Sequence, residues 1–211
     1  MNRTAEEIRL LTIYGIYAVE GIVQLCANVL IIIAIAAVRS LHRKEYVLPL
    51  ALALADAIMG LGQLSAGVRR IFIISDGELT VKVTRLYCFL ELHNVCYILA
   101  GFICPTLLLC ICLDRLLACH SVSAYSKLSA NRFGFAALSS FLVGVSVWLV
   151  GLTVVLSMDP KPEAPKTCAT RWALNYWMNV VWTFYPAVCG IVGCLITTTY
   201  LERGQCNRSS L

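Results

Sequence analysis

The residues best placed to do chemistry lie in CICLDRLLACHSVSAY, residues 110–125, where Asp114 and Arg115 stand side by side at the end of an apolar run. A carboxylate beside a guanidinium can form an ion pair, take up a proton or anchor a helix at an interface, but it brings no nucleophile. Residues 92–113 are 22 positions without Asp, Glu, Lys or Arg. A helix of about 20 such residues spans a bilayer, so the pair sits at a membrane boundary. Two further acids interrupt apolar runs, Glu20 and the deeper Asp56 in LALADAIMG. Ionisable groups at such depth are costly and normally face the bundle interior. Glu20 reads first as a snorkelling or protonated residue near the interface of a long first helix, and second as a ligand group. For Asp56 the expected hydrogen-bond partner is Asn28, in CANVL on the first span, and such polar pairs also simply hold helices together.

The elements that position these groups follow from composition. With 59% hydrophobic and 14% charged residues in a chain of 211, and a mean hydropathy of +0.78, too little polar surface remains for a soluble domain. Charge-poor runs predict five transmembrane helices at about 10–38, 46–70, 86–118, 133–158 and 173–201. Each is far longer than a barrel strand and lacks its alternating polarity. The reading is an all-α integral membrane bundle forming a single domain over residues 1–211, without internal repeats. No cleavable signal peptide is evident, so the first span is its own insertion signal. The fourth loop, with Pro160, Pro162 and Pro165, is expected to be irregular and exposed. A net charge of +5 comes from loop residues without interleaved aromatics, which argues against nucleic acid and for membrane flanks.

At the start of the third span Glu91, His93, Asn94 and Tyr97 cluster, and Asn94, Tyr97, Ile98, Gly101 and Pro105 follow one helical face. Glu91, Asn94, Tyr97 and Gly101, with Met178, Asn179 and Trp182 on the fifth span, form the candidate ligand pocket; a packed helix interface is the alternative. Gly101 permits close approach of a helix or a ligand, and Pro105 a kink. His93 has no second ligand at metal spacing. No catalytic triad or metal set converges, so neither an enzyme nor a cofactor is expected. Repeats and paired broken helices that would mark a transporter are absent.

Most of the eleven cysteines lie inside spans, as small hydrophobes. Cys88, at the start of the third span, and Cys168, in the stretch between the fourth and fifth, face the same side, where a disulfide forms only if that side is oxidising. Orientation is not set by charge, because one set of flanks carries eight basic residues and the other nine. The sequons at Asn2 and Asn207 fall on opposite faces, so at most one carries glycan.

Taken in order, Asn28, LALAD ending at Asp56, Cys88, LDRLLA from Leu113 to Ala118, Tyr125, Trp148, Cys168 and Pro186 resemble the rhodopsin-like G protein-coupled receptors, and more loosely their nematode serpentine chemoreceptor branches. The resemblance covers nearly the whole chain and implies the first five helices of a seven-helix receptor fold. It implies an outside N-terminus at the plasma membrane, glycan confined to Asn2, a Cys88–Cys168 disulfide, and coupling to a heterotrimeric G protein through Asp114, Arg115 and Tyr125. In such receptors Arg115 would pair with Asp114 at rest and turn to the G protein on activation, a two-state element that a small-molecule or peptide ligand biases. The bland alternative is an interfacial anchor. Several positions depart from the family pattern: Leu116 replaces an aromatic, Val122 a Pro and Cys194 a Tyr, and Cys88 lies two residues farther from Arg115 than usual. Tyr97 stands where amine receptors carry Asp, so nothing in the pattern suggests an aminergic ligand, and Cys104 replaces a hydroxyl that helps bind sodium near Asp56. No sixth or seventh span follows LITTTYLERGQCNRSSL, so the chain is expected either as a truncated receptor or as a non-signalling interaction partner of full-length receptors.

Overall fold

The computed structural model describes residues 4–41, 43–120, 125, 129–158, 161, 163–174 and 176–208. Among them are seven α-helices: α1 (Ala5–Ala37), α2 (Val47–Ser75), α3 (Arg85–Leu90), α4 (Leu92–His120), α5 (Ala130–Leu156), α6 (Thr170–Ala173) and α7 (Tyr176–Arg208). Five of them, α1, α2, α4, α5 and α7, are long and apolar enough to cross a membrane. The fold is therefore all-α with five candidate spans. The remaining regular structure is two 3-10 turns before α2 and a two-residue antiparallel pair, β1 (Lys82–Val83) with β2 (Ala164–Pro165).

Helix boundaries differ from the charge-poor runs for identifiable reasons. The first helix starts at Ala5 because Thr4 and Glu7 form a reciprocal capping box, with Glu7 N donating to Thr4 Oγ1 at 3.3 Å and Thr4 N to Glu7 Oε2 at 3.0 Å. The expected single helix over 86–118 is broken at Glu91, whose φ and ψ are −60° and 136°. Asn94 Nδ2 donates to the Cys88 carbonyl at 2.7 Å, the acceptor that a continuous helix would have given to Leu92 N. The fourth loop also departs from expectation. Its residues Ala164, Cys168 and Ala173 are fully buried, because the strand pairing and a disulfide draw it over the end of the bundle.

Packing centres on α4, which touches α2, α5 and α7, while α1 lies along α2. The α1–α2 contact is close enough for backbones to meet. A Cβ on Gly21 would lie 2.4 Å from Leu64 N, and one on Gly67 2.7 Å from Ala18 N. Close helix approach through small residues is the usual substitute, inside a bilayer, for the missing hydrophobic drive between helices. Two buried clusters form along α4. One surrounds Cys88, Phe89, Ile98, Cys168 and Leu174, and the other Leu48, Ala55, Ile103, Leu107 and Phe133. Large apolar side chains such as Leu30, Phe72 and Phe135 face outward, as lipid-facing surfaces require.

Candidate functional site

The site has two ends, each built on a terminus of α4. Just before its first turn, Cys88 of α3 is joined to Cys168 in a disulfide with Cα atoms 4.9 Å apart. Cys168 adopts a positive φ of 47°, a conformation unfavourable for a side-chain-bearing residue. Its carbonyl is gripped twice: Asn94 Nδ2 donates at 2.9 Å, and His93 Nε2 lies 3.0 Å away, a bond that needs the proton on Nε2. Thr170 Oγ1 donates to Asn94 Oδ1 at 2.9 Å. The buried Asn94 amide thus brackets α3, α4, α6 and the disulfide loop, with both its N–H donors and its carbonyl oxygen engaged within the protein.

Around this bracket lies a ring of ion pairs. Arg69 pairs with Glu91 at 2.7 Å and donates to Tyr87 Oη at 2.8 Å. Arg85 pairs with Glu163, and Lys166 with Glu78. Next to Arg69, Arg70 donates through Nε to Thr167 O at 3.1 Å and lies 5.2 Å from the Tyr14 ring centre.

The other residues of the expected pocket are placed as follows. Tyr97 sits edge-on to the His93 ring. Gly101 faces the Trp182 indole, whose Nε1 would lie 2.6 Å from a Cβ at this position. Trp182 Nε1 is buried without a hydrogen-bond partner among the described residues. Met178 packs against Gly151 and the outer cluster, and Asn179 Nδ2 donates to the carbonyls of Arg171 and Leu174 at 3.1 and 3.2 Å. Gly101, Trp182 and Met178 therefore share the α4–α7 contact, Tyr97 faces Gly62 of α2, and Glu91 and Asn94 are engaged in tying the loop.

Midway along the bundle the expected Asn28–Asp56 hydrogen bond is not formed. Asn28 Nδ2 turns back to the Gln24 carbonyl of its own helix at 2.9 Å, and Asp56 Oδ1 accepts from Cys104 Sγ at 3.4 Å. A donor to the carbonyl one turn back satisfies an amide locally, which leaves Asp56 to the thiol on the facing helix. Glu20 is exposed on α1. Beside Cys104, an apolar groove of about 470 Å³ opens between α4 and α7, lined by Pro105, Leu108, Pro186, Cys189 and Gly193 among others.

At the far end of α4, Asp114 is 8% exposed while the neighbouring Arg115 side chain is 58% exposed, and Arg115 Nε lies 3.9 Å from Asp114 Oδ2. The same carboxylate oxygen accepts from Tyr125 Oη at 3.4 Å. Burial pushes the Tyr125 phenol pKa up and the adjacent Asp114 charge adds to the effect, so the phenol stays protonated as a donor. Lys44, from the turn before α2, donates to Tyr125 O at 3.0 Å and lies 4.9 Å from its ring centre. Phe133 meets the same ring edge-on. The sequence reading missed Lys44, Thr170 and the loop-gripping role of His93, because none is marked by its local surroundings. Asn2 lies outside the described residues.

Among the described residues no cluster of His, Cys, Asp and Glu could hold a metal ion. No curated protein matches the chain. Residues 21–207 match the model of the serpentine type 7TM GPCR chemoreceptor Srsx, a stretch that takes in both ends of α4, the disulfide and nearly all of α7. The chain belongs to the Srsx family of serpentine 7TM GPCR chemoreceptors.

Proposed function

We propose that this receptor senses a small molecule or peptide at the face carrying the Cys88–Cys168 disulfide and couples at the opposite face to a heterotrimeric G protein through Asp114, Arg115 and Tyr125. In this reading the N-terminus lies outside, in the plasma membrane, with Asn2 the glycan acceptor and Asp56 part of the intramembrane polar path. The observation that carries it is the asymmetry of the pair. A buried carboxylate holds a mostly exposed guanidinium at 3.9 Å, so the cation is poised to leave while the anion stays. An exposed ion pair is worth about 0–1 kcal/mol, small enough for ligand binding to overcome. The ligand side is Gly101, Met178, Asn179 and Trp182, on α4 and α7, together with Tyr97 on the α4 face turned to α2, with Glu91 and Asn94 as supports.

The test uses a seven-helix chimera carrying the last two helices of a family relative. Asp114→Asn should raise basal coupling, because it frees Arg115 without changing side-chain size. Arg115→Ala should abolish coupling while ligand binding and surface expression persist. Matched losses of expression with unchanged coupling per surface receptor would reduce the pair to an anchor. Glycan on Asn207 instead of Asn2 would reverse the orientation.

The apolar groove between α4 and α7 favours a second reading, a membrane interaction partner of full-length receptors. Disulfide trapping between Cys194, exposed beside that groove, and a co-expressed relative would support it, and trapping no greater than between unrelated receptors would exclude it.

A further inference from the structure

Adjacent arginines on α2 have opposite surroundings. Arg69 has a carboxylate and a phenol. Arg70 is the more buried of the two, at 8% exposure, yet has no carboxylate partner among the described residues. Its partners among the described residues are the Thr167 carbonyl, which uses Nε alone, and the face of Tyr14. Glu91, Glu78 and Glu163 on the same face are each paired with another cation. The terminal nitrogens of Arg70 find no acceptor among the described residues, and unlike Arg69 Nε they are not sealed inside the protein. Burying a cation without a counter-charge is unfavourable, and a carbonyl and a ring offset it only in part. His93 and Tyr97 lie within its field, and Tyr97 also feels Tyr17 and Glu20.

Resting on the receptor reading above, we propose that Arg70 is an anion-recognition point and that the ligand it takes is a small monocarboxylate, its apolar body lying among Tyr14, Tyr17 and Tyr97. A guanidinium presents two parallel donors that match one carboxylate. The surrounding rings suit an apolar body. Among the described residues the neighbouring cations Arg69, Arg85 and Lys166 already have carboxylate partners, so a second negative charge on the ligand would find no match there. Occupation neutralises Arg70 and links α1, α2 and the loop carrying Thr167, which the disulfide joins to α3.

The test measures binding alone. The 211-residue chain is placed in phosphatidylcholine nanodiscs and its unfolding midpoint followed by tryptophan fluorescence with hexanoate or with neutral hexanamide. Hexanoate should raise the midpoint and hexanamide should not. Arg70→Gln should weaken the hexanoate response by about tenfold or more, the scale of one charge-assisted contact, and Arg70→Lys should weaken it less. An equal shift from hexanamide, or an unchanged response in Arg70→Gln, overturns the proposal. If Arg70→Gln does not fold, the wild-type comparison of acid with amide decides. Loss of the hexanoate shift in phosphatidylglycerol nanodiscs would assign the anion to lipid headgroups and overturn the small-ligand reading. Failure of G protein coupling would leave this outcome untouched, because no G protein takes part.

Discussion

Near its start α4 is fixed by a disulfide on the adjoining α3, a doubly gripped carbonyl and a ring of ion pairs; towards its far end Asp114 is held by a 3.9 Å ion pair and a 3.4 Å hydrogen bond. The polar groups at the first end are short-range and mostly buried, and both N–H donors and the carbonyl oxygen of Asn94 are engaged. At the second end the distances are long, and one partner, Arg115, is mostly exposed. Interactions of the first kind set a unique geometry, and those of the second are weak enough to exchange partners. One helix thus has a clamped end and a releasable end, the arrangement a lever needs if a change at one face is to be read at the other.

The contrast is broken most strongly by opening the clamp. Cys168→Ser removes a cross-link between residues 80 apart in sequence, about 4 kcal/mol in the loop-entropy model. It also releases the strained Cys168 backbone. The expected result is a large fall in folded protein, measured by detergent-resistant fluorescence size-exclusion. Full recovery of wild-type thermal stability in this variant would show that the hydrogen bonds alone hold the loop.

Next in size is Asn94→Ala, which leaves the Thr170 hydroxyl without its acceptor and the Cys88 carbonyl without its side-chain donor, while His93 still serves Cys168. A buried polar group left unsatisfied costs about 1–3 kcal/mol, so the unfolding midpoint should drop by several degrees with the disulfide intact. A drop as large as that of Cys168→Ser would mean that the bracket, and not the cross-link, sets the geometry.

Much of this arrangement is legible in the sequence, and the reason is local. Apolar runs broken by isolated charges mark the spans, and Asp114–Arg115 stands out because nothing within 22 residues on one side can neutralise it. Pairing across the chain is less legible. The break at Glu91 depends on Arg69, 22 positions earlier, and on Asn94 reaching back to Cys88. The strand pair joins Lys82 to Pro165, two segments with no strand signal of their own. Asn28 and Asp56 carry matching chemistry and a suggestive order, yet a local carbonyl competes successfully for Asn28. Burial of Arg70 is invisible until the loop bearing Thr167 is folded over it.

Sharpening the releasable end calls for smaller changes. Asp114→Asn in the 211-residue chain removes the ion pair and keeps an acceptor for Tyr125. With Arg115 more than half exposed, the stability change should stay below about 1 kcal/mol, although under the proposed function the same substitution should raise coupling in the chimera. A loss above about 2 kcal/mol would place the pair with the clamp and remove the contrast.

The smallest effect expected is that of Tyr125→Phe, and it separates the hydroxyl from the ring. The hydroxyl contributes one hydrogen bond to Asp114 at 3.4 Å, beyond the usual range for an O–H donor, while the ring keeps its contacts with Lys44 and Phe133. Stability should therefore change by about 0.5 kcal/mol or less. Tyr125→Ala should cost more, because it also uncovers the buried Phe133 and takes away the surface over which the Lys44 ammonium lies. If the hydroxyl and Arg115 compete for the same Asp114 oxygen, as their shared contact with Oδ2 implies, loss of the hydroxyl should hold Arg115 more tightly. Basal coupling of the Tyr125→Phe chimera should then fall slightly, whereas that of Asp114→Asn rises. A rise in both would mean that Tyr125 restrains Arg115 by fixing the carboxylate, and the far end of α4 would then be a three-membered latch.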